Sequence, residues 1–147
     1  MSGWPARPRV FFDSDVLIAG SASSTGAARV LLRLSELGLI EGVGSPQTRA
    51  EAERNLATKL PQALDAFRSL ADHCCRWAGE PKRQTLQSLA GQAERNDLPI
   101  LASAVENDCG YLVTFNTRHY HPQPGAISVV TPGDLLKEIR DLLADLA

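Results

Sequence analysis

Short apolar runs alternate with stretches of helical periodicity along this chain. Val10, Phe11 and Phe12 form a run that ends on Asp13, and this predicts a buried strand over about residues 9–13. A second apolar run, Val16 to Ile18, follows at once, and the serine-rich stretch from Gly20 to Gly26 reads as a flexible loop. Residues 27–37 carry Val30, Leu31, Leu34 and Leu37 on one helical face, and Gly38 supplies the C-terminal stop. Leu39–Val43 reads as a second strand. Gly44-Ser45-Pro46 then opens a helix to about Thr58, with Ser45 as N-cap and proline just inside it.

Pro61 starts another helix, whose stripe of Leu64, Phe67, Leu70 and Ala71 reaches toward Trp77. Glu80-Pro81 breaks the chain, and residues 82–95 are amphipathic again. Asp97-Leu98-Pro99 opens a helix over residues 100–107, and Gly110 ends the connection. Tyr111–Thr114 and Ile127–Val130 read as strands. Thr131, Pro132 and Asp134 occupy the cap, N1 and N3 positions of a last helix. No internal repeat or low-complexity tract interrupts this order.

Strands alternating with helices imply crossover connections. The predicted fold is therefore α/β, a mainly parallel sheet with helices on both faces. The helices between residues 45 and 107 are many for one crossover and predict a lobe over one edge of the sheet. At 147 residues the chain reads as one domain over 1–147, with a loose leader at residues 1–8.

Composition narrows the function classes. With 22% charged residues and a formal net charge of −2, the chain lacks the basic excess of a dedicated DNA-binding domain. Fifteen Lys and Arg residues still leave enough cations to meet phosphates. Cys74, Cys75 and Cys109 give neither a disulfide framework nor a zinc spacing. No secretory leader and no apolar run of membrane-spanning length is visible, so a cytoplasmic protein that does not enter a membrane is expected.

Candidate chemistry centres on acids near strand ends. Asp13 stands where open α/β sheets bind ligands, although an aspartate there can simply cap the next turn. Asp15 reads either as a ligand or as an acceptor ordering the loop backbone. Glu51 lies on the helix after the second strand and can pair with Arg54. Glu53, its rival, is about 200° away around that helix, so at most one of the two faces a cleft. Asp97 reads as a helix cap or a ligand, and Asn116 as a turn residue or a site residue just beyond a strand. His119 and His121 are either phosphate contacts or ordinary loop residues. Tyr120 is either a base-stacking ring or a packed aromatic.

Four segments together resemble the successive motifs of PIN-domain ribonucleases, many of them toxins of VapC-type toxin–antitoxin pairs. These are Phe12-Asp13-Ser14-Asp15-Val16-Leu17-Ile18, Ser45-Pro46 with Glu51-Ala52-Glu53-Arg54-Asn55-Leu56, Asp97-Leu98-Pro99-Ile100, and Tyr111 through Tyr120. The resemblance implies a three-layer α/β/α sandwich over residues 9–136. It aligns Asp13, Glu51 and Asp97 with the family's metal-binding acids, and Asn116 with a fourth position that is often Asp. Thr114 matches a hydroxyl residue, and Asp15 replaces a frequent Asn. The implied activity is Mg²⁺- or Mn²⁺-dependent hydrolysis of RNA by a metal-activated water. Arg118, placed near the cleft by its position after the strand, is the candidate phosphate contact. The implied partners are an RNA substrate, a cognate antitoxin and a second copy of the chain.

Two alternatives remain open on sequence. A degenerate PIN fold would bind RNA or protein without turnover, because Asn116 removes a charge. The Asp13-x-Asp15 spacing after an apolar strand also begins haloacid dehalogenase-type phosphatases.

Overall fold

The computed structural model describes residues 7–145. The expected leader at residues 1–8 therefore lies outside the described residues except for Arg7 and Pro8. The strands are β1 (Arg9–Phe12), β2 (Glu41–Gly44), β3 (Arg76–Trp77), β4 (Tyr111–Val113) and β5 (Ser128–Val130). They form one parallel sheet in the order β3-β2-β1-β4-β5. The helices are α1 (Ser14–Ala22), α2 (Ala27–Glu36), α3 (Pro46–Lys59), α4 (Leu64–Cys74), α5 (Arg83–Ser88), α6 (Leu98–Glu106) and α7 (Pro132–Asp145).

The pleat of the central strand divides the core. Val10 and Phe12 face one layer, with Val16, Leu17, Leu31, Leu32, Leu56, Phe67 and Leu135 from α1, α2, α3, α4 and α7. Phe11 faces the other, with Val43, Leu112 and the α6 residues Ile100, Leu101 and Ala104. Val10, Phe11 and Phe12 are all fully buried, which is why β1 reads as a continuous apolar run. Burying each such side chain stabilises the fold by roughly 1.5–3 kcal/mol. The α/β/α sandwich inferred from the sequence is the observed fold.

Local signals explain the elements that position the acids. Ser45 and Thr48 form a reciprocal capping box at the start of α3. The backbone N–H of Asp134 donates to Thr131 Oγ1 at 3.1 Å, capping α7. Gly38 adopts a φ of 81°, the left-handed conformation that ends α2.

Several expectations are corrected. Gly20 belongs to α1 and not to a loop: an added Cβ would stand 2.4 Å from Leu32 Cδ1, so glycine lets α1 and α2 approach closely. Helix α2 buries Ala28, Leu31 and Leu32, while Val30 and Leu37 are 37% and 72% exposed. The helices between residues 45 and 107 form no separate lobe. Helices α3 and α4 join the layer of α1, and α6 covers the opposite face. Trp77 lies in β3, where its indole N–H donates to the carbonyl of Ala71 at 3.0 Å. Within residues 82–95 only Arg83–Ser88 is α-helical, and it buries no residue.

The strand order has a functional consequence. The chain runs outward from β1 through β2 to β3, then returns to β4 on the other side of β1. The carboxyl ends of β1 and β4 flank the switch point, the place where such sheets hold ligands.

Candidate active site

Asp13 follows β1 directly and is 6% exposed. Its backbone N–H donates to the carbonyl of Val113 at 3.0 Å, which extends the β1–β4 pairing to the sheet edge. One carboxylate oxygen, Oδ1, accepts the N–H of Ser14 at 2.7 Å and caps α1. The other, Oδ2, accepts the hydroxyl of Tyr120 at 2.8 Å. Asp13 therefore caps a helix and also stands at the switch point.

Asp15 lies in the first turn of α1 and reaches across to the segment after β4. Its Oδ2 accepts from the N–H of Phe115 at 3.0 Å, Asn116 Nδ2 at 3.0 Å and Thr114 Oγ1 at 3.3 Å. Thr114 Oγ1 accepts in turn from the N–H of Asn116 at 3.0 Å. Asp15 thus orders this backbone, as one of its two sequence readings has it. Its other oxygen, Oδ1, is buried without a hydrogen-bond partner. Burial, and then the charge of Asp13, push the Asp15 carboxyl up to about 6.

Asp97 occupies the N-cap position of α6, yet its side chain makes no capping bond. Asp97 Oδ2 instead meets His119 Nδ1 at 3.0 Å, and His119 Nε2 lies 3.9 Å from Glu94 Oε2. Burial first, and then the charge of Asp13, raise the Asp97 carboxyl above its ordinary range. Asp97 and Asp13 are held by adjacent residues, His119 and Tyr120. Glu94, Asp97 and His119 each offer a ligand atom within 4.8 Å of the others.

Glu51 stands beside this group on α3. It accepts from Gln47 Nε2 at 3.4 Å, and the same amide donates to the carbonyl of Asn96 at 2.9 Å. Gln47, Glu51, Arg54, Arg95, Asn96 and Pro99 line a cleft of about 520 Å³. Glu51 is therefore tied to the Asp97 side of the site and takes Gln47, not the expected Arg54, as its partner. Glu53 points elsewhere and lies 4.0 Å from Arg49. Asn116 and Arg118 are exposed on the turn after β4.

The structure thus gathers Asp13, Asp15, Asp97, Thr114 and Asn116 at one sheet edge, with Glu51 in the adjoining cleft. Sequence reasoning missed Glu94 and the orienting roles of His119 and Tyr120. All three depend on pairing between two irregular segments. An antiparallel bridge joins Ala93 to Tyr120, and Glu94 N–H donates to the carbonyl of His119 at 2.8 Å. The donor set suits a hard divalent cation. Its acids offer carboxylate oxygens, burial and mutual charge raise Asp15 and Asp97, and Asp15 Oδ1 is an orphaned buried acceptor.

Fold and site together define a three-layer α/β domain with an acidic site at its switch point. A family model for the PIN domain matches residues 9–118, more than half of the chain, and the chain belongs to that family. Members of this family are generally nucleases and generally use divalent metals. Membership sets aside the phosphatase alternative. The fold is also that of a chain in VapBC2 from Rickettsia felis, crystallised bound to a DNA fragment from their promoter. The match has a TM-score of 0.59 at 13% identity and covers 82% of this chain and 96% of that one. No curated protein matches the sequence. Among the described residues no helix is long and apolar enough to cross a membrane.

Proposed function

We propose that this protein is a divalent-metal-dependent endoribonuclease, the toxin of a toxin–antitoxin pair. The observation that carries this reading is that the segment after β4 binds all three acids, Asp15 through Thr114–Asn116, Asp97 through His119 and Asp13 through Tyr120, with an orphaned carboxylate oxygen on Asp15. Asp13, Glu51 and Asp97 would hold Mg²⁺ or Mn²⁺, directly or through water. When bound, the ion supplies charge stabilisation at the attacked phosphate and lowers the pKa of a water nucleophile.

The chain's own residues do the positioning. Tyr120 fixes the orientation of Asp13, and burial together with the surrounding acids pushes its phenol up, so it remains a donor. Asp15 holds Thr114, Phe115 and Asn116 in place through three hydrogen bonds. Asn116 contributes no charge and so favours one firmly held ion before RNA arrives. Arg118 on the turn and Arg54 and Arg95 in the cleft have no ion-pair partner among the described residues, and they are suited to meet phosphates.

An antitoxin partner is supported by the VapBC2 likeness in fold, and we place the protein in the cytoplasm, where such an RNA substrate is met. A second copy of the chain is a further partner on this reading. Incubation of the purified protein with a mixed structured RNA pool in Mg²⁺, Mn²⁺ or EDTA tests the proposal. Cutting is expected with either metal and not with EDTA. RNA retained without turnover at any metal concentration would indicate the binding module instead.

A further inference from the structure

We propose that Phe115 is a base-stacking platform that receives an unpaired RNA base beside the scissile phosphate, an inference that rests on the ribonuclease reading. Tyr120, the ring the sequence offered for stacking, is buried and donates its hydroxyl to Asp13, so it cannot serve. Phe115 is 51% exposed and is the one aromatic among the large exposed apolar side chains of the described residues. The core does not require it.

Its backbone is nevertheless firmly held. The N–H of Phe115 donates to Asp15 Oδ2 at 3.0 Å, and the same oxygen takes its neighbours Thr114 and Asn116. An exposed ring on an anchored backbone next to the acids is pre-positioned for a flat apolar partner. Its setting favours a base over a protein surface. Asn116 and Arg118, both exposed, follow it in the chain with an amide and a cation. The exposed aliphatic residues Val30, Leu37, Leu39, Leu142 and Leu143 instead belong to α2, α7 and the segment after α2. An exposed aromatic with an amide and a cation close by in sequence is suited to stack a single-stranded base without reading sequence. Double-stranded RNA, with its bases stacked internally, would be a poor substrate.

The test uses a short single-stranded RNA carrying 2-aminopurine, with the base analogue moved through successive positions. Fluorescence quenching in Ca²⁺ reads binding and stacking, and cleavage of the same RNA in Mn²⁺ reads turnover. Phe115→Ala is expected to weaken binding roughly five- to hundredfold and to remove the quenching. Phe115→Trp and Phe115→Tyr should restore both, and Phe115→Leu should not. Equal affinity and quenching in all four variants and the wild type would overturn the platform.

The two readings separate cleanly. Cleavage with Phe115-independent binding removes the platform and keeps the nuclease. Phe115-dependent stacking without cleavage removes the nuclease and keeps the platform. Failure of the wild type to bind the RNA removes both. If light scattering shows that Phe115→Ala changes only the oligomeric state, the ring is a protein contact and the platform is overturned.

Discussion

The hydroxyl of Tyr120 donates to Asp13 Oδ2 at 2.8 Å, joining residues 107 positions apart at the centre of the acidic site. The ring itself belongs to the core layer around Phe11 and Ile100. Packing therefore fixes the hydroxyl, and the hydroxyl fixes the carboxylate. Tyr120→Phe keeps the ring and leaves Asp13 Oδ2 without its donor. It is expected to destabilise the metal-free protein by about 1–3 kcal/mol in urea unfolding. An unchanged midpoint and slope would show that the contact holds nothing in place.

Burial first, and then the charge of Asp13, raise the carboxyls of Asp15 and Asp97, so part of that cost in the metal-free site is repulsion that a cation relieves. Millimolar Mg²⁺ or Mn²⁺ is expected to raise the melting temperature by several degrees through preferential binding to the folded state. Asp13→Asn should abolish most of that rise. Equal shifts in the mutant and the wild type would place the binding elsewhere.

Glu41 pairs with Arg9 and Arg76, each at 3.1 Å, and so links β1, β2 and β3 away from the site. Burial opposes its charge, but the two guanidiniums prevail and hold its carboxyl below the ordinary 4.5. A depressed folded-state value stabilises the fold above the unfolded value, and that contribution is lost as pH falls through the folded one. At pH 7 Glu41→Gln should cost at most about 1 kcal/mol, because water screens the pairs. The gap between mutant and wild type should close as pH falls below 4.5. A gap independent of pH would mean that packing, not charge, is lost.

Much of the fold was legible because its signals are local. The apolar run of β1, the capping box at Ser45 and the Thr131 cap each act within a few residues. The acids Asp13, Asp15 and Asp97 were legible for the same reason, since strand ends and helix starts bring them to one edge. Helix α1 was not, because Val16, Leu17, Gly20 and Ser21 are buried on several sides and leave no amphipathic stripe. Strand β3 has two residues, too few to show a period. The pairing of His119 with Asp97 and Glu94 was hidden because it depends on a bridge between Ala93 and Tyr120.

The most direct test of a nuclease centred on Asp13 is the single-turnover cleavage rate of the best-cut RNA in Mn²⁺. It should be measured for the wild type, for Asp13→Asn and for Asp108→Asn, an exposed position before the start of β4 at the opposite edge of the sheet. Asp13→Asn should lose more than the about 10- to 100-fold typical of removing an outer partner of a metal ligand. Asp108→Asn should cut at the wild-type rate. Cleavage by Asp13→Asn at the wild-type rate, from protein shown to be folded, would contradict the proposed site.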